Sequence, residues 1–560
     1  MPEVNGLEPK LLITTISYKA KWMPNQTFMR YPNEQWETKG YRTMTWAQFG
    51  KAVDKVAHWL DEQLGTASNN DTIAYLGPSD ARYAIMLAAT VKTMRKASFS
   101  LFIPDGRLTK EGVCKLISST SCTAWFSAEE DDSATKALDI HLTGIRLCAL
   151  PSLDWCLGQD TEDIKEYPYD ETFEDGKFRV IVIIHTSGTT GNPKPVKHTN
   201  GLIASYGGYQ ELSRIHWPRG IVYDSWIGRA ALNCCPPQWL GGLHAMIYSP
   251  VFTGTSCIVP PIDSVSLLPD VFKKVVKMNA VDGIKCPPHT IVQLYHDPES
   301  QAVLKRFHFI LYLGAALDQT IGDDLTEYTR LSSIIGSTET GPYADLSYVD
   351  KKLWNTHLFT PENKHRMIPV EGADNLFELV LERPENWPTI LAMPWWNPQF
   401  DGQTSIETKE LYSPVKDKDG STRWLFAARK DDLTKLSWLA KFRAHDIEVR
   451  ILKHPDVERV IVGGEGRPTP YVLAEPKDNV LERKTVTALQ EELYSGVISR
   501  SNDAAVSEIS IPKETILIAK KGKPFRLTAK QTISRKLVEQ DYAAEIDKAY
   551  ERLAKNAHIR

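Results

Sequence analysis

Between Val180 and Gly201 the chain reads VIVIIHTSGTTGNPKPVKHTNG, an aliphatic run that drives into hydroxyls, glycines and a lysine. Thr186, Ser187, Thr189 and Thr190 crowd their hydroxyls into one short loop, and Lys194 adds a cation. Gly188 and Gly191 let the backbone turn sharply and bring its N–H groups close to an anion. Such a set can wrap phosphate oxygens while the lysine offsets their charge. The P-loop of kinases and GTPases is excluded. It needs four residues between its first Gly and a Gly-Lys-Ser/Thr, and this loop places its small and charged residues at Gly188, Gly191 and Lys194. A purely structural Gly/Thr/Pro loop is the competing reading of the stretch taken alone.

The surrounding pattern states what must position the loop. TWAQFGKAVDKVAHWLDEQL, from Thr45, places Phe49, Val53, Val56, Ala57 and Leu60 at helical spacing behind a Thr start. TIAYLG reads as a buried strand closed by Gly77-Pro78, and DARYAIMLAATVKTM returns to helix. TAWFSA, KFRVIVIIHTS, TSCIVP, DGIKCPP and FILYLGAAL continue the alternation. Short apolar strands between helices predict an α/β domain with parallel-rich sheets. After about residue 430 the pattern changes to helix, hairpin, helix, strand, basic loop and a closing amphipathic helix. The expectation is a large N-terminal domain over 1–430 and a small, mobile α+β domain over 431–560. DKDGSTRWLFAARKDD is read as turn and linker.

Composition narrows the class. At 560 residues the chain exceeds one compact core. A net charge of -4 and a pI near 6.4 provide no global basic field, so nucleic acid and anionic membranes are not expected partners. The N-terminus lacks the basic start and apolar run of a signal peptide, and no apolar stretch has the length of a membrane span. Eight cysteines form no CxxC pair and no zinc-spaced cluster, so reduced thiols in a cytoplasmic setting are expected.

The whole set of motifs resembles the adenylate-forming enzymes: acyl-CoA synthetases, luciferase and the adenylation domains of nonribosomal peptide synthetases. HTSGTTGNPKPVKHTN looks like their phosphate-binding signature. TIAYLGPSDARY, IGSTETGP, FAARKDDLTKLSWLAKF, VERVIVGGEGRPTPYVLAEP and KPFRLTAKQTISRK follow in the expected order. The variants are most like fungal synthetase-like adenylation domains and adenylate-forming reductases. The resemblance implies that a carboxylic acid and ATP, with Mg2+, give acyl-AMP, after which an acceptor displaces AMP. It implies that Thr186, Ser187, Gly188, Thr189, Thr190, Gly191 and Lys194 hold the triphosphate. Thr338 would face the α-phosphate and Glu339 would bind the magnesium. Ile335 and Gly336 belong to the nucleotide site, Arg429 would contact ribose or phosphate, and Asp431 is the hinge. Lys530, otherwise one lysine of a basic loop, would reach the substrate carboxylate and act as the catalytic cation.

Three departures qualify that transfer. Glu410, in ETKEL, stands where the family has a ribose-binding Asp. Ile335 replaces an aromatic residue against adenine, so apolar contact survives and stacking does not. Leu439 replaces the glycine beside which a pantetheine arm passes, and its volume could close that passage. The chain ends at Arg560 without a carrier-protein motif or reductase extension, so an external acceptor is expected: an amine, a hydroxyl, or a carrier or CoA thiol. A rerouted loop in which Leu439 merely packs is the alternative. Amino-acid-activating relatives place an Asp where Trp239 falls; lacking it, the pocket suits an acid without a free α-amino group, aromatic or an α-keto acid. Trp239, Leu240, Gly241, His289, Gly314 and Ala315 form the expected wall. A degenerate nucleotide-binding protein without turnover is the reading from a different class.

Overall fold

The computed structural model describes residues 10–66, 71–98, 110–129, 144–158, 164–186, 194–261, 267–371, 375–389, 391–430, 433–437, 441–499, 502, 510–527 and 533–557. The chain packs as two compact units. The first takes Met1–His365, Leu381–Ile406 and Val415–Arg423; the second takes Arg366–Val380, Glu407–Pro414 and Trp424–Arg560.

In chain order, the strands of the first unit that frame the site are β1 (Thr27–Pro32), β2 (Tyr41–Thr45), β3 (Thr72–Leu76), β4 (Lys96–Ser98), β5 (Cys122–Ala128) and β6 (Arg146–Leu150). They continue with β7 (Val180–Thr186), β8 (Lys194–Thr199), β9 (Ala230–Asn233), β10 (Ser256–Ile258), β11 (Gly283–Cys286), β12 (Phe309–Leu313) and β13 (Arg330–Ile334). One sheet has the order β6-β5-β3-β4-β7-β8 and the other β13-β12-β11-β9-β10-β1-β2. Every neighbour pair within them is parallel except β7–β8 and β1–β2. The apolar runs of the sequence therefore are the strands, and the expected parallel α/β architecture is present.

The helices form for local reasons that the sequence states. The Thr45 hydroxyl accepts from the Gln48 N–H at 3.3 Å, and the Gln48 side chain accepts from the Thr45 N–H at 2.9 Å. This reciprocal cap starts the helix Trp46–Leu64, whose Phe49, Val53, Val56, Ala57 and Leu60 are all buried. Phe28 of β1 stacks on Phe49 with ring centroids 3.9 Å apart. Helix Arg82–Lys92 is buried along its whole length, and its two cations are neutralised in place. Arg82 meets Asp80 at 2.7 Å, and Lys92 meets Asp54 at 2.5 Å. All eight cysteines are free thiols.

In the second unit Val457–Gly463 and Tyr471–Pro476 pair antiparallel, and Ile516–Ile518 adds in parallel. Helices Ala444–Ile451, Val486–Leu493 and Ala543–Ala557 accompany that sheet. One expectation fails here. Asp417–Ser421 is indeed a turn, closed by Asp417 N–H to Ser421 O at 3.0 Å with Gly420 at φ +82°. The residues after it are strand Thr422–Arg429 and no linker. Trp424, Leu425 and Phe426 form a short apolar run of strand type, a signal masked by the turn residues before them. Among the described residues no helix is long and apolar enough to cross a membrane.

Candidate active site

Because β9, β11, β12 and β13 are parallel neighbours, their carboxyl ends open on one edge of the sheet. Ligands of open α/β sheets bind beyond that edge. The loop after β9 carries Trp239, Leu240 and Gly241; His289 follows β11; Gly314 and Ala315 follow β12; Ile335 and Gly336 follow β13. The fold thus brings the expected wall residues to one edge from three separate strands, and the nucleotide-site residues Ile335 and Gly336 to the same edge from a fourth. Gly241 packs close to Leu313, since a Cβ there would lie 2.7 Å from Leu313 Cδ1. Gly314 adopts φ +93°, with open space where a side chain would stand. His289 is exposed at the start of helix Pro288–Tyr295. The loop after β9 is pinned by Gln238, whose amide donates to Tyr83 Oη at 2.6 Å.

Thr338 and Glu339 sit at the tip of a tight hairpin. Gly336–Ser337 pairs antiparallel with Gly341–Pro342. Gly336 adopts φ +147°, and a Cβ there would fall 2.3 Å from the Gly341 carbonyl oxygen. Ser337 and Thr340 close the turn with their hydroxyls 2.9 Å apart. Two side chains from elsewhere then grip the tip by its backbone. His198 Nε2 lies 2.7 Å from the Thr338 carbonyl oxygen, and Asn397 Nδ2 donates to the Glu339 carbonyl at 2.6 Å. A carbonyl only accepts, so His198 carries its proton on Nε2. Burial pushes the His198 pKa down to about 4, so the ring is neutral at physiological pH. The Thr199 hydroxyl donates to the Trp396 carbonyl at 2.8 Å, fixing the segment that supplies Asn397.

His198 and Thr199 belong to β8, the strand that leaves the hydroxyl-rich loop. Thr186 and Lys194 face each other across β7–β8 and bracket that loop. Ser187, Gly188, Thr189, Thr190 and Gly191 lie outside the described residues, as do Asp431, Leu439 and Lys530. In the second unit, Glu410 is buried on strand Ser405–Lys416 and accepts from Tyr412 Oη at 2.9 Å. Arg429 is exposed at the end of its strand. The Glu339 carboxylate forms no hydrogen bond or ion pair among the described residues, which leaves it available to a cation. Those residues hold no cluster of three or more metal-ligating side chains. One free carboxylate on a fixed tip fits magnesium, which takes one or two protein carboxylates and completes its shell with phosphate oxygens and water.

Sequence reasoning passed over His198, Asn397 and Lys285. The first two act through backbone carbonyls: His198 lies within HTSGTTGNPKPVKHTN, where its side chain was given no role, and Asn397 lies in no motif. Lys285 had a signal: it is the single charge in the apolar strand GIKC. Its Nζ lies 2.6 Å from His244 Nδ1, and both residues are buried.

Residues 18–367 match the model for AMP-binding enzymes, and residues 431–554 match the AMP-binding enzyme C-terminal domain. A carboxylic acid reductase of Neurospora crassa is 26% identical over 97% of this chain and 51% of its own. The adenylate-forming reductase Nps11 of Serpula lacrymans is 23% identical over 98% of this chain and 50% of its own. The chain therefore spans about half the length of these curated relatives. The anthranilate CoA ligase AuaEII in complex with anthranoyl-AMP superimposes with a TM-score of 0.68 at 15% identity, covering 95% of this chain and 97% of that one. ATP-bound MatB from Rhodopseudomonas palustris does so with a TM-score of 0.69 at 16% identity, covering 96% and 100%. These likenesses establish the adenylate-forming fold, a large α/β domain with a smaller C-terminal one.

Proposed function

This chain belongs to the AMP-binding enzyme family, and from that premise we propose that it joins a carboxylic acid to AMP and hands the acyl group to an external acceptor. A carboxylate oxygen attacks the α-phosphorus of ATP. An O–P bond forms, the bond to the β-phosphate oxygen breaks, and pyrophosphate leaves with the electron pair. Two anions must approach, so the reaction needs fixed donors where charge accumulates. Thr186, Ser187, Thr189, Thr190 and Lys194 serve the triphosphate, with Gly188 and Gly191 giving the backbone its close approach. Thr338 faces the α-phosphate. Glu339 would hold the magnesium ion, which offsets phosphate charge.

Lys530 draws the two reactants together in one orientation of the small domain, over 431–560, and rotation about Asp431 exchanges it for the acceptor face. Glu410, Ile335, Gly336 and Arg429 serve the nucleoside. The acid lacks a free α-amino group and is aromatic or an α-keto acid. Leu439 favours an amine or hydroxyl acceptor; loading of a carrier-protein or CoA thiol in trans is the second reading.

The observation that supports this most is the pair of grips on the hairpin tip. His198, on the strand leaving the phosphate loop, holds Thr338, and Asn397 holds Glu339. On this reading the two contacts keep the loop strand and the hairpin tip in one frame, as preorganised stabilisation requires. The test is ATP–pyrophosphate exchange with magnesium and a panel of carboxylic acids, with and without hydroxylamine. Acid-dependent exchange is expected; its absence across a broad panel means a binding-only protein.

A further inference from the structure

Along β11, Ile284 and Cys286 pack into one core, so strand alternation turns Lys285 to the opposite face. Its register neighbours there are Asn233 of β9 and Leu311 of β12. Two residues beyond Leu311, on the same face, is Leu313, against which Gly241 is packed. His244, which meets the Lys285 ammonium, follows Gly241 by one helical turn. Lys285 thus lies on the sheet face and at the sheet edge that carry the expected acid pocket.

Three of the four other buried cations meet a carboxylate, and the fourth has two protein acceptors. Arg82 meets Asp80 at 2.7 Å, Lys92 meets Asp54 at 2.5 Å and Arg95 meets Asp61 at 2.9 Å. Arg423 is held twice by Thr356, at 2.8 and 2.9 Å. Lys285 is 4% exposed and, among the described residues, forms no ion pair. Its one hydrogen bond goes to His244 Nδ1 at 2.6 Å. An imidazole nitrogen that accepts is unprotonated, so His244 is neutral and supplies no counter-charge. The Ser249 hydroxyl, 3.1 Å from that nitrogen, adds none. An ammonium has three donors, and two of them find no acceptor among the described residues. A buried cation without an anion is costly unless a ligand completes it.

We propose that Lys285 recognises a second anionic oxygen group at the far end of the acid, so that the preferred substrates are dicarboxylic acids. The inference rests on the adenylation reading and narrows its substrate class. Lys285 is a specificity residue here and takes no part in the bond-forming step.

The experiment compares matched pairs, benzoate with terephthalate and hexanoate with adipate, in ATP–pyrophosphate exchange with the parent protein and with Lys285→Met. The parent is expected to favour at least one diacid by about tenfold or more in kcat/KM. In Lys285→Met that ratio is expected to fall to one or below. A parent ratio at or below one for every pair overturns the proposal, so it remains falsifiable if the variant does not fold. An unchanged ratio in a folded variant overturns it equally. Calorimetric binding of each acid separates the two levels. Exchange without diacid preference leaves adenylation standing and sinks the role of Lys285. Diacid binding lost in Lys285→Met, with no exchange for any acid, keeps that role and sinks adenylation.

Discussion

His198 Nε2 lies 2.7 Å from the Thr338 carbonyl oxygen, and this contact joins the strand that leaves the hydroxyl-rich loop to the tip that presents Thr338 and Glu339. The histidine touches no reacting atom. It sets the distance between the loop strand and the hairpin tip, the two parts proposed to act on one polyphosphate.

His198→Ala is therefore expected to lower kcat for pyrophosphate exchange by about tenfold to a hundredfold, the scale at which small misplacements act. His198→Gln, which keeps an N–H donor, should recover part of the loss. Equal loss in both variants, with unchanged melting, would remove the positioning role. Because the ring stays neutral down to about pH 4, its contribution should be flat across the neutral range.

Glu339→Gln keeps the shape of the tip and removes its charge. Exchange should fall by about a hundredfold or more, and the magnesium concentration for half-maximal rate should rise. Titration of magnesium at fixed ATP checks both. A variant with the parent's magnesium dependence would exclude Glu339 as the ligand.

Lys530→Ala should abolish exchange while leaving ATP binding within a few-fold, because its role is in the approach of the carboxylate. Parental exchange would disprove that role. Leu439→Gly should create or raise thioester formation with a thiol acceptor without altering exchange. Parental thiol transfer already at the level of the variant would show that Leu439 blocks nothing.

Lys285 gives a pH signature. Burial pushes its pKa down to about 8 from 10.5, so between those values the unfolded chain holds a proton that the folded chain has released. Stability therefore rises with pH across that window. Below it both states are charged, and the buried charge costs the fold roughly 3 kcal/mol. Lys285→Met should be more stable than the parent at neutral pH, with the advantage shrinking toward pH 10.5. Burial outweighs the neighbouring groups: Cys235 and Cys257 act to raise the Lys285 pKa, the Cys257 thiol itself is pushed up to about 12, and His244 is held neutral. Chemical denaturation of both proteins at neutral and alkaline pH measures the difference.

Much of this was legible in the residues. The strands of the α/β unit were visible as apolar runs because parallel sheets bury both faces. The Thr45 cap and its helix face were visible because helix spacing is local. Thr338 and Glu339 were singled out through a motif. What holds them was not, since His198 and Asn397 work through backbone carbonyls 140 and 58 residues away in sequence. Such contacts have no local period to betray them. Strand Thr422–Arg429 was hidden by its own turn, where Asp and Gly dominated the reading.

The three loops proposed to wall the acid pocket hang from the ends of the sheet, outside the strand pairs β9–β11 and β11–β12. Residues after β9, β11 and β12 can be exchanged without unpairing a strand, while the hairpin tip after β13 is clamped from outside and tolerates little. The same scaffold can thus inherit its phosphate machinery unchanged and drift in appetite, one loop at a time. Lys285 differs from the loop residues in being set inside a strand, where a change of side chain acts through the sheet's own packing.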